Sequence, residues 1–78
     1  MRPKVVEVTW EDSWSSNSNW TVDELKREPG MILHSTGYLI NRDKKGIDLA
    51  GEYRENREMG RHIQHIVAST IIKVRELK

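Results

Sequence analysis

The sequence predicts an all-β domain with one short helix, arranged as a small five-stranded barrel. Five stretches read as strands: two alternate apolar with polar residues, the period of a half-buried strand, and the last is rich in β-branched residues. Clusters of Gly, Asn, Asp and Ser separate them. The chain has 78 residues and no Cys, so a single domain must hold by packing, without disulfides or thiolate metal sites. A closed barrel suits so short a chain, because closure hides the strand edges that invite aggregation.

Lys4 to Trp10 is the first strand, with Val6, Val8 and Trp10 alternating. Glu11 to Asn19 is rich in Ser and Asn, which bond to nearby backbone and favour turns, so it reads as an exposed loop. Thr21-Val22-Asp23-Glu24 has capping-box spacing and predicts a helix from Val22 to Arg27, ended by Pro29-Gly30. So short a helix needs tertiary support, expected from Leu25 and Trp20. Met31 to Asn41 is a long strand, with Gly37 marking a bulge or bend. Asp43-Lys44-Lys45-Gly46 is a turn with Gly46 at positive φ, and Ile47 to Tyr53 is the third strand. Arg54 to Gly60 reads as a charged loop and Arg61 to Ile66 as a fourth strand with Ile63 and Ile66 inside. Val67 to Thr70 is a tight or 3₁₀ turn, and Ile71 to Leu77 the last strand. The expected core is Val6, Val8, Trp10, Leu25, Ile32, Leu33, Leu39, Ile40, Ile47, Leu49, Ile63, Ile66, Ile72 and Val74.

Composition narrows function. A net charge of +1 does not indicate a broad nucleic-acid surface, although Arg42, Lys44, Lys45 and Lys73 can form a one-sided patch. No apolar run approaches the roughly 18 residues of a membrane span, and Met1 opens no signal peptide, so a soluble intracellular protein is expected. Nucleophile-elbow, phosphate-loop and zinc-protease motifs are absent, so no enzyme activity and no cofactor are expected. His62 and His65 are three apart and face opposite ways on a strand, so no metal site is expected.

Two features point to binding. Trp10, Trp14 and Trp20 place three of the five aromatic residues within eleven positions, among Asp12 and many Ser and Asn. Indole faces beside short hydrogen-bonding side chains suit a flat ligand. The competing reading makes Trp10 core and Trp20 a staple for the helix, with Trp14 alone free. Arg61 and His62, with Arg54 and Arg57 nearby, form the second feature, because guanidinium grips phosphate through paired hydrogen bonds. Neighbouring glutamates offer the contrary reading of a solvated, charge-balanced loop.

The order of residues resembles small bacteriophage and prophage accessory proteins with an SH3-like or Sm-like barrel. The resemblance is carried by Trp10-Glu11-Asp12, by Ser35-Thr36-Gly37-Tyr38-Leu39-Ile40 leading to Gly46-Ile47-Asp48-Leu49-Ala50, and by Ile63-Gln64-His65-Ile66 before Ile71 to Leu77. Members often have Pro where this chain has Val67. Some compact phage proteins of this general type, among them the Sequestin sponges, bind a nucleotide immune signal such as a cyclic ADP-ribose species. The resemblance therefore implies a non-catalytic anti-defence protein in the cytoplasm of an infected bacterium, sequestering a small nucleotide as a homo-oligomer. The tryptophan cluster and the basic residues, read together, give an expected ligand-binding set of Trp10, Asp12, Trp14, Trp20, Tyr38, Arg61 and His62. The alternatives are a nucleic-acid-binding Sm-like module and a module that docks on a host protein.

Overall fold

The computed structural model describes residues 2–12, 19–27 and 30–77. Five antiparallel strands form one sheet: β1 (Val5–Asp12), β2 (Met31–Asp43), β3 (Gly46–Arg54), β4 (Met59–Val67) and β5 (Ile71–Leu77). Their order is β4-β3-β2-β1-β5, so β4 and β5 form the two edges. One helix, α1 (Val22–Arg27), precedes β2, and 3₁₀ turns join β3 to β4 and β4 to β5. The protein is thus mostly β with one short helix, as the alternation predicts.

The local chemistry explains most boundaries. At α1, Glu24 N–H donates to Thr21 Oγ1 at 3.1 Å and Thr21 N–H donates to a Glu24 carboxylate oxygen at 3.3 Å, the reciprocal pair of a capping box. Pro29 and the Leu25 side chain lie outside the described residues. At the β2–β3 turn, Asp43 Oδ1 accepts from Lys45 N–H at 2.8 Å while Asn41 Nδ2 donates to Asp43 Oδ2 at 3.0 Å. Gly46 closes that turn at φ 147°, a conformation open mainly to glycine. Ala68 N–H donates to Lys45 O at 3.0 Å, tying the last turn to this one.

Val6, Val8, Ile47, Leu49, Ala50 and Ile66 are buried, and Trp10, Leu39, Ile71 and Val74 pack against them. Four residues expected inside are exposed: Ile32, Ile40, Ile63 and Ile72. Two of these corrections follow from alternation. Leu33, opposite Trp10, is partly buried, so its neighbour Ile32 faces away. Ile63 lies three residues from Ile66, and an odd spacing on a strand cannot bury both. The other two follow from bulges. Ile40 is skipped between Leu39↔Leu49 and Asn41↔Asp48, and Ile72 between Thr9↔Lys73 and Trp10↔Ile71. Each is the extra residue whose side chain the shifted register turns outward.

Candidate functional site

Around Arg61, the strands bring together groups from both sides of the β3–β4 connection. β3 continues to Arg54, a 3₁₀ turn spans Glu55–Arg57, and β4 begins at Met59. The stretch read as a charged loop is therefore largely strand and turn. Register sets Glu52 opposite Arg61, Tyr53 opposite Gly60 and Arg54 opposite Met59. Between these pairs lies a groove of about 420 Å³ lined by Glu52, Tyr53, Arg54, Met59 and Arg61. A second hollow, of about 260 Å³, is lined by Tyr53 as well, together with Leu39, Ile40 and Gly60. Tyr53 thus lines both. Tyr38 meets it at a centroid distance of 5.9 Å and an interplanar angle of 39°.

Charge in the groove is unevenly satisfied. Arg61 Nη2 donates to Glu52 Oε2 at 2.6 Å, and His62 Nε2 stands 3.2 Å from Glu52 Oε1. Adjacent strand residues normally face apart, yet Arg61 and His62 reach one carboxylate. The local departure is the left-handed backbone of His62, at φ 57°. Gly51 leaves room for it, since a Cβ there would approach His62 Cβ to 3.3 Å. Arg54 differs from Arg61. Its Nε donates to Asn56 Oδ1 at 3.1 Å, and among the described residues it has no carboxylate partner.

The Arg61 hydrogen bond and charge hold the Glu52 carboxyl below its ordinary value of 4.5, with a smaller pull from His62. Glu52 raises Arg61 in turn. A depressed folded value means that this pair supports the fold above the ordinary carboxyl range. That support is lost as pH falls through the lowered value. Arg61→Ala should therefore move the Glu52 titration, followed by carboxyl NMR shifts, up toward 4.5. An unmoved midpoint would show that the pair does not form in solution.

The other residues singled out from the sequence lie elsewhere. Trp10 is half-buried, and its Nε1 donates to Ser35 Oγ at 2.9 Å, so this indole packs on the core with its N–H satisfied. Asp12 ends β1. Trp20, 37% exposed, stands just before α1. Trp14 lies outside the described residues. Tyr38, Arg61 and His62 are the members gathered near one place. Tyr53 and Met59 join them unforeseen: Tyr53 read only as part of a strand pattern, and Met59 carries no chemical signal of its own. Arg42 and Lys73 of the anticipated basic patch line a separate hollow at the opposite end of β3, beside Asp43. Among the described residues, no cluster of three His or acidic side chains is arranged to hold a metal ion, and no helix is long and apolar enough to cross a membrane.

No protein-family model, curated protein or solved structure matches the chain.

Proposed function

We propose that the chain is a non-catalytic binding protein that holds a small nucleotide in the Tyr53 groove and works as a self-associated assembly. The observation that carries this is the meeting, in one groove, of Tyr53 and a guanidinium that has no carboxylate partner among the described residues. Tyr53 offers a face for a base, worth about 1–3 kcal/mol when stacked. Arg54, with no carboxylate partner among the described residues, offers its charge to a phosphate, and Arg61, paired with Glu52, lines the same groove. The volume of about 420 Å³ falls in the range of small-molecule sites, roughly 300–1,000 Å³. The resemblance to phage accessory proteins makes a cyclic ADP-ribose species the first ligand to try, its sequestration in an infected cell being the biological role.

Titration calorimetry against adenine and guanine nucleotides, including cyclic ADP-ribose isomers, tests this. At least one should give saturable heat and be recovered chemically unchanged. Arg54→Ala should weaken it at least about tenfold, which corresponds to ~1.4 kcal/mol. Absence of saturable heat across the panel overturns the ligand reading, and turnover of the nucleotide overturns its non-catalytic part.

A further inference from the structure

We propose that β4 is the seam at which a second copy of this chain docks, antiparallel and with the two-fold axis at Ile63. This rests on the self-association in the proposed function and not on its ligand.

The protein exposes more surface than its mass warrants. It presents 6429 Å², whereas a compact monomer of 9.1 kDa exposes about 4,900 Å². The excess, about 1,500 Å², exceeds the roughly 800 Å² that each partner covers in a stable interface. The radius of gyration, 15.8 Å, likewise exceeds the about 11–12 Å of a compact domain this long.

The sheet's two edges differ in fitness to pair. β5 is interrupted by the bulge at Ile72, a feature that blunts an edge. β4 keeps one register on β3 from Gly46↔Val67 to Arg54↔Met59. The pairing lapses only at the left-handed His62, and Arg61↔Glu52 and Ile63↔Ala50 obey the same register on either side of it. Met59, Ile63 and Val67 are 54%, 55% and 52% exposed on this unpartnered edge strand.

The pattern on β4 supplies the geometry. Met59, Arg61, Ile63, His65 and Val67 are alternate residues and share a face. From either end they read apolar, basic, apolar, basic, apolar. A two-fold interface requires that self-complementarity, since each residue meets its counterpart's mirror position. With the axis at Ile63, the two Ile63 side chains face each other and Met59 faces the second copy's Val67. Arg61 comes beside the second copy's His65. Each already has a carboxylate partner within its own copy: Arg61 lies 2.6 Å from Glu52 and His65 Nδ1 lies 2.6 Å from Asp48 Oδ1.

Sedimentation equilibrium and cysteine cross-linking test the seam on the full chain. The natural protein should have twice the single-chain mass of 9.1 kDa, and Ile63→Asp should reduce it to one. Ile32→Asp, also at an exposed site, should leave the pair intact. The chain has no cysteine, so Ile63→Cys should form a disulfide-linked pair under mild oxidation while Val22→Cys does not. A monomeric natural protein overturns both the seam and the self-association. An assembly that survives Ile63→Asp and is not locked by Ile63→Cys overturns the seam and leaves self-association standing. Should Ile63→Asp fail to fold, the cross-linking result decides alone.

Discussion

Gly46→Val should leave the chain without a cooperative thermal transition. Gly46 sits where three strands meet: it pairs with Asp43 on β2 and Val67 on β4. Its φ of 147° already excludes most side chains. A Cβ there would also overlap the carbonyl oxygen of Ile66 and press on the carbonyl carbon of Ile66 and the amide nitrogen of Ala68. All three are backbone atoms, so no side chain can swing aside. Relief requires opening the β3–β4 ladder or moving the last 3₁₀ turn, whose Ala68 N–H is bonded to Lys45 O. Circular dichroism on heating should show a broad, non-cooperative change. A sigmoidal melt near that of the natural protein would mean that the turn is built differently. Gly51→Ala is the contrasting change. Its Cβ would come closest to His62 Cβ, at 3.3 Å, and would meet backbone only at the ordinary contact distance of 3.9 Å, to Arg61 O, so a small loss should result.

The second large effect belongs to Ile47→Ala. Ile47 is 1% exposed and stands opposite Ile66, also 1% exposed, in the centre of the core cluster. Trimming such a side chain costs about 2–5 kcal/mol, from lost burial and from the cavity left behind. Domains of this size have roughly 0.05–0.15 kcal/mol of stability per residue, so the loss takes a large share of the whole. With a urea slope near 1 kcal/mol/M, as small domains show, the unfolding midpoint should fall by ~2 M or more. Val22→Ala, at a site 66% exposed, should change stability by less than about 0.5 kcal/mol. Equal effects at the two sites would contradict the placement of the core.

Where the chemistry is local, the sequence was a good guide. The capping box at Thr21 and Glu24, the Asp43 turn with Gly46 at positive φ, and the 3₁₀ turn before β5 depend on neighbouring residues. Burial was less legible. The outward face of Ile63 could have been read from its odd spacing to Ile66. The exposure of Ile40 and Ile72 could not, because a bulge is set by how two distant strands fit. The candidate site divides in the same way. Arg61 and Arg54 announced themselves by charge, but nothing local reveals that Tyr53 lines the same groove. That follows from β3 running on to Arg54 and from the register that sets Tyr53 opposite Gly60. The tryptophan cluster had the strongest sequence signal. Of its described members, Trp10 is partly committed to the core through Ser35 and the packing around Val8.

Backbone amide shifts, recorded while a cyclic ADP-ribose isomer or a related adenine nucleotide is added, test the central claim most directly. Perturbations centred on Tyr53, Arg54, Met59 and Arg61, saturating together and abolished by Tyr53→Ala, are the predicted result. Saturable perturbations confined to Trp10 through Trp20, or a spectrum indifferent to every nucleotide, would contradict it.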